Sequence, residues 1–213
     1  MKFLMSYSGG KDSALALNRM INEGHEPVAF TTTINPSQER SWFHGIQMPL
    51  LNSLSSSLGI PIIPCICEPE IYGEALENVM ALAKQKGATA VVFGDIDIQD
   101  HKKWNEERCS KHDLDCIMPL WQENREKLTL EVIDSGFKAI VKIVESKYLD
   151  ESFLGKVLDA QLVEKIKNTG ADPCGENGEY HTFVIDGPIF NSALDVSLGE
   201  IIDFGNYKAI DIY

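Results

Sequence analysis

The opening run Lys2 to Tyr7 is apolar enough to lie buried in a sheet. Ala14, Leu17 and Ile21 then recur at helical spacing, with Gly24 as the stop. Pro27 to Thr33 predicts a second strand that ends in threonines. Another periodic stretch carries Ile46, Leu50, Leu54 and Leu58 before Gly59. The apolar run Ile60 to Ile66 follows, and its Pro61 and Pro64 assign it to a sheet edge. Ile71 to Lys86 predicts a helix closed by Gly87, Ala88 to Phe93 a buried strand, Gln99 to Lys111 a further helix and Cys116 to Met118 a short strand. Such alternation predicts an α/β fold, a doubly wound parallel five-stranded sheet with right-handed crossovers on both faces. In that architecture ligands lie at the carboxyl ends of the strands. Tyr7, Thr31, Thr32, Thr33 and the residues Phe93, Gly94 and Asp95 are therefore expected to line one cleft.

Beyond Pro119-Leu120-Trp121 the pattern changes. Glu123 to Ser135 predicts a helix, Lys138 to Val144 a strand, Leu154 to Thr169 a helix and Phe183 to Ile185 a strand. The chain is accordingly divided into residues 1–121 and a smaller C-terminal α+β domain, residues 122–213.

Ser8-Gly9-Gly10-Lys11-Asp12-Ser13 sits where the first strand gives way to the first helix. Glycines let the backbone approach an anion closely, and the helix N-terminus favours negative charge. Lys11 adds a cation and Ser8 and Ser13 add hydroxyls, while Asp12 could orient the loop or hold magnesium. The spacing is not that of Walker A, which places four residues between its glycine and Gly-Lys. Far downstream, Glu176 and Glu179 flank Asn177-Gly178. Two carboxylates on a tight turn can bind magnesium, hold an amine or share a proton; Asn-Gly is equally an ordinary hairpin turn. His44 either caps or packs at the start of the third periodic segment or touches phosphates. His181 is either a neutral hydrogen-bonded residue or a catalytic one, and Trp42, Trp104 and Trp121 either pack or stack on a ligand.

The Ser8 to Ser13 loop resembles the Ser-Gly-Gly-x-Asp-Ser loop of the PP-loop ATP pyrophosphatases, whose adenine-nucleotide hydrolase-like fold cleaves ATP between its α and β phosphates. Joined to Glu176 to Tyr180 and Thr182, to Gly94-Asp95-Ile96, to Glu106 and Cys109 and to Pro119-Leu120-Trp121, it is similar to the diphthine–ammonia ligase family from Lys2 to about Pro188. Asn177 stands in place of the first glycine of Glu-Gly-Gly-Glu, His181 where many members carry Glu, and Trp104 where a basic residue is frequent. The resemblance implies an ATP-binding domain in residues 1–121 and an acceptor and ammonia site in residues 122–213. It implies adenylation of a carboxylate, diphthine on elongation factor two, followed by attack of ammonia to give an amide, AMP and pyrophosphate. Its cofactors would be ATP and Mg2+. Lys11, Asp12, Glu176 and Glu179 would be catalytic, with Asp12 on the metal. Ser8, Gly9, Gly10, Lys11, Asp12, Ser13, Thr31, Thr32, Thr33, His44, Gly94 and Asp95 would bind the nucleotide.

Composition narrows the alternatives. A formal net charge of −13 weighs against attraction to nucleic acid or anionic membrane, and the cluster His101-Lys102-Lys103 is flanked by acidic residues. The 5 cysteines contain no C-x-x-C pair, so neither a disulfide framework nor a zinc ribbon is indicated. With no signal peptide or long apolar run, the expected compartment is the cytoplasm. A tRNA-modifying PP-loop enzyme and a nucleotide sensor without turnover remain as alternatives. A homodimer is also open.

Overall fold

The computed structural model describes residues 1–213. Strand β1 (Lys2–Ser6) runs into helix α1 (Lys11–Asn22), which returns to β2 (Glu26–Thr31). The strand predicted for Pro27 to Thr33 breaks at Thr32, whose hydroxyl donates to the Tyr7 carbonyl. Beyond it, β3 (Thr33–Asn35) turns away and pairs with β4 (Arg40–Ser41). Helix α2 (Met48–Leu58) ends at left-handed Gly59 and leads to β5 (Cys65–Ile66). A 3-10 turn, Pro69–Ile71, opens α3 (Tyr72–Gln85), followed by β6 (Ala90–Val92), α4 (Gln99–Lys111), β7 (Asp115–Ile117) and α5 (Arg125–Asp134). Strand β8 (Lys138–Glu145), helix α6 (Ala160–Asn168) and strand β9 (Tyr180–Asp186) come next. The chain finishes with β10 (Leu198–Asp203) and β11 (Tyr207–Ile212), an antiparallel pair that the sequence pattern does not announce.

Strands β2, β1, β6 and β7 form a parallel sheet in that order. It has 4 strands, not the 5 expected. The run Ile60 to Ile66 reaches the β2 edge only where Ile62 bridges to Phe30; Ile63 N–H donates to the Phe30 carbonyl at 2.8 Å. Pro61 and Pro64 have no N–H with which to extend a ladder, and β5 pairs with β3 instead, in a separate sheet ordered β4-β3-β5.

Alternation along β1 sends Phe3 and Met5 to one face, against Ala14, Leu15 and Leu17 of α1, and Leu4 to the other, against Val79 and Met80 of α3. The chain passes from β1 through α1 to β2 on one side, and α3 later delivers it to β6 on the other side. The crevice at the carboxyl ends of β1 and β6 is therefore the place where strand order reverses.

The second sheet is antiparallel, ordered β10-β11-β8-β9. Its β9 lies against the start of α1, where Val184 N–H donates to the Gly9 carbonyl at 2.8 Å. With α1 held between the two sheets, even Lys11, Ser13 and Asn18 are buried. One apolar cluster of 41 residues runs from Phe3 and Leu17 to Val141, Phe183 and Ile212, so the interior is unbroken between the sheets. The helix predicted from Leu154 starts only at Ala160. Residues 154–158 lie beside β8, with Leu158 N–H donating to the Ala139 carbonyl at 2.8 Å, and Asp159 then caps α6 by accepting from Leu162 N–H at 2.7 Å. No helix is long and apolar enough to cross a membrane.

Candidate active site

The loop after β1 is shaped by its own side chains and by β9. Ser8 Oγ accepts from Gly10 N–H at 3.2 Å, Ser13 Oγ donates to the Gly10 carbonyl at 2.9 Å, and Thr182 Oγ1 accepts from Lys11 N–H at 3.1 Å. Gly9 adopts φ +88°, and a Cβ there would stand 2.9 Å from the Phe183 ring. Gly10 occupies the N-cap of α1 without a capping side chain, which leaves first-turn N–H groups for an anion. On the opposite strand, a Cβ on Gly94 would lie 3.0 Å from Ser13 N and 3.1 Å from the carbonyl carbon of Asp12. Only glycine lets the end of β6 come that close to the loop backbone.

These elements enclose a cavity of about 460 Å³. It is lined by Ser8, Gly10, Lys11, Asp12, Ser13, Thr31, Thr32, Thr33, His44, Gly94, Asp95 and Glu176 of the expected site residues. Gly9 and Glu179 lie outside it. Gly9 is turned to β9. Glu179 is 4 % exposed and accepts from Asp172 N–H at 3.2 Å, Asn177 N–H at 3.1 Å and Asn177 Nδ2 at 3.1 Å. Burial pushes that carboxyl up, but the Asn177 amide and the backbone N–H groups outweigh it and hold Glu179 below the usual carboxylate range. The two glutamates therefore do not share a site. Asn177, the departure from the glycine pattern, both clamps Glu179 and accepts from Arg125 at 3.2 Å.

Glu176 instead joins Asp12 and Cys174, with one ligand atom from each lying within 4.8 Å of the others. Burial, and then the charge of Asp12, push Glu176 up to about 7. Burial pushes the Cys174 thiol up to about 12, so it stays protonated and donates to Asp12 at 3.5 Å. Two carboxylates fit a hard, oxygen-preferring cation such as Mg2+, and a protonated thiol does not. Lys11 is 4 % exposed. Its ammonium bridges Asp12 Oδ2, at 2.8 Å, and the Cys174 carbonyl, which ties the loop to the second motif. Burial opposes its charge, but Asp12, joined by Cys174 and Tyr180, outweighs burial and Lys11 is held well above the ordinary lysine value.

His44 neither caps α2, whose N-cap is Gln47, nor lies remote from the loop: a Cβ on Gly10 would be 2.9 Å from its Cε1. Burial, followed by the adjacent His181, keeps His44 well below the ordinary histidine value, so it is neutral. The His181 ring meets it edge-on at 5.4 Å between centroids. Tyr7 Oη, Thr31 Oγ1 and His44 Nδ1 are buried without a hydrogen-bond partner, and all three residues line the cavity. Each unmade bond costs about 1–3 kcal/mol, so the cavity suits a ligand rich in donors and acceptors, as a nucleotide is. Tyr72, His101, Asn105, Tyr180 and Thr182, none of them expected as site residues, also line it. Tyr180 and Thr182 belong to the second motif itself, whereas Tyr72 carries no local signal.

Residues 1–116 match the family described as the diphthamide synthase N-terminal domain, and residues 124–212 its C-terminal domain. The chain belongs to the diphthamide synthase family. Relatives named diphthine–ammonia ligase include the human protein, 26% identical over 95% of this chain and 85% of its own length, and the mouse protein, 28% identical with the same coverage. The Schizosaccharomyces pombe relative is 28% identical over 95% of this chain but only 37% of its own length. A solved structure described as a predicted subunit of tRNA methyltransferase from Methanocaldococcus jannaschii aligns with 91% of this chain and 100% of that one, with a TM-score of 0.45 and 18% identity.

Proposed function

We infer that this protein is an ATP-dependent ligase that converts the carboxylate of diphthine to the diphthamide amide with ammonia, releasing AMP and pyrophosphate. The observation that carries the reading is the union, in one cavity, of the anion-binding start of α1 with the Asp12–Glu176 carboxylate pair from opposite ends of a chain of this family. The fold is read as adenine-nucleotide hydrolase-like, with a nucleotide domain up to Trp121 and an acceptor domain after it.

The first turn of α1, with Ser8 and Ser13, holds the phosphates, and Tyr7, Thr31 and His44 offer partners to the base and ribose. Thr32 and Thr33 shape that wall. Asp12 would hold Mg2+, which supplies charge neutralisation to the phosphates when bound. A carboxylate oxygen of the acceptor attacks the α-phosphorus as the bond to pyrophosphate breaks, giving an acyl-adenylate. Lone-pair attack of ammonia on the acyl carbon then breaks its bond to AMP. Glu176 holds ammonium beside this centre and is the carboxylate placed to take its proton. Holding both reactants in one cavity supplies the orientation that this chemistry needs. Lys11 and Glu179 keep the two motifs in register.

The test is product analysis with Mg2+, ATP and ammonium, with and without diphthine-bearing elongation factor. AMP and pyrophosphate that appear only with the factor support the reading; ADP and phosphate would overturn it.

A further inference from the structure

Arg125 opens α5, where a cation works against the helix dipole. Its acceptors explain its place. Nε and Nη2 donate to Oδ2 and Oδ1 of Asp97 at 2.8 and 2.7 Å, a two-pronged pair, while Nη1 donates to Asp172 Oδ2 and, at 3.2 Å, to Asn177 Oδ1. Asp97 lies in the turn that leaves β6 after Gly94 and Asp95. Asp172 and Asn177 stand on either side of Glu176, in the segment between α6 and β9. No helix or strand runs through that segment. Its shape rests on bonds to Asp172: Cys174 N–H donates to the carboxylate at 2.8 Å and Gly175 N–H to the backbone carbonyl at 3.0 Å.

Arg125 does not itself line the cavity, yet it joins two of its walls. The backbone of Asp12 and Ser13 packs on Gly94, Asp97 follows in the same turn, Arg125 links Asp97 to Asp172 and Asn177, and Glu176 returns to Asp12. The joint is also fixed from the chain before α5, because Gln122 N–H donates to the Ile96 carbonyl at 2.6 Å. We propose that Arg125 is a positioning residue, which sets where Glu176 stands relative to the phosphate-binding start of α1. The role given to Glu176 rests on the ligase reading above. Strand β6 is held by β1 and β7, so the Gly94 wall keeps its place without Arg125. The Glu176 segment has no such ladder and is the wall that shifts. Loss of Arg125 therefore spares ATP binding and impairs the step that uses Glu176.

Kinetics and hydrogen exchange test this on the full chain. Arg125→Met is expected to lower kcat for ammonia-dependent turnover about 100-fold with the KM for ATP unchanged. Added guanidinium ion should restore part of it, and urea at the same concentration should not. Arg125→Lys keeps the charge but not the fork and is expected to lose nearly as much. Full activity in Arg125→Lys would reduce the role to charge and overturn the proposal, as would a raised KM for ATP at unchanged kcat. Asp97→Asn, a milder change that leaves the Asp172 contact in place, is expected to lower kcat about tenfold; wild-type turnover there overturns the proposal even if Arg125→Met does not fold. Exchange is read without turnover. The amides of Asp172 to Gly178 are expected to exchange about tenfold faster in Arg125→Lys than in the wild type, at an unchanged melting temperature. Should the wild type form no AMP with the factor, the ligase reading falls by itself. Faster exchange confined to that segment then still supports Arg125 as the joint, and exchange equal to the wild type overturns it.

Discussion

Lys11 N–H, at the start of α1, donates to Oγ1 of Thr182 on β9 at 3.1 Å, a contact that fastens the nucleotide loop to the second sheet. Both residues are buried, so nothing else replaces this acceptor. Thr182→Val keeps the shape and removes the oxygen, at an expected cost of about 1–3 kcal/mol for the unsatisfied N–H. Chemical denaturation should show that loss, and calorimetry should show weaker ATP binding. Unchanged ATP affinity would mean that the loop holds its shape without β9.

The two glutamates of the second motif should fail in different ways. Glu176→Gln is expected to keep the melting temperature and ATP binding while removing ammonia-dependent turnover. Glu179→Gln turns an amide donor toward N–H groups and breaks bonds that now end on a charge. Its expected cost is about 2–3 kcal/mol in stability, read as a lowered melting temperature. If Glu179→Gln were inactive at wild-type stability, the glutamate would belong to the chemistry.

Gly94→Ala tests the close approach of β6 to the loop. The added methyl would meet the backbone of Asp12 and Ser13, neither of which can swing aside. A displaced loop should weaken ATP binding about tenfold or more while the circular dichroism spectrum stays that of the wild type. Retained affinity would show that the loop tolerates the shift.

Away from the cavity, Lys142 on β8 makes stability depend on pH. It is 2 % exposed, and its ammonium donates to the Ile210 carbonyl at 2.8 Å near the Arg40–Asp211 ion pair. Burial pushes it down to about 8; Asp211 opposes the fall and Arg40 adds to it. Between that value and the ordinary 10.5 the unfolded chain binds the extra proton, so stability from this group rises with pH across the window. Below pH of about 8 the penalty of the buried charge is fully present, on the order of 3 kcal/mol. Denaturation midpoints measured from pH 7 to 10 (about the limit for such work) should rise for the wild type relative to Lys142→Met. Parallel curves would show that the amine is not titrating there.

Local sequence determined the parts of this protein that depend on contiguous residues. The junction of an apolar strand, a Ser8 to Ser13 loop and an amphipathic helix is legible because strand, turn and helix each follow from neighbours a few positions apart. The same holds for the parallel strands around it and for the cleft at their carboxyl ends. Only tertiary structure separated Glu176 from Glu179: alike in sequence, they differ because N–H groups of Asp172 and Asn177 close on the second and leave the first beside Asp12. It also kept Ile60 to Ile66 out of the parallel sheet, assembled β10 and β11 from a segment with no clear pattern, and joined Trp42, Tyr72 and Trp104 from separate elements. Such contacts are set by which surfaces the core brings together, and residues distant along the chain carry no periodic signal of that meeting.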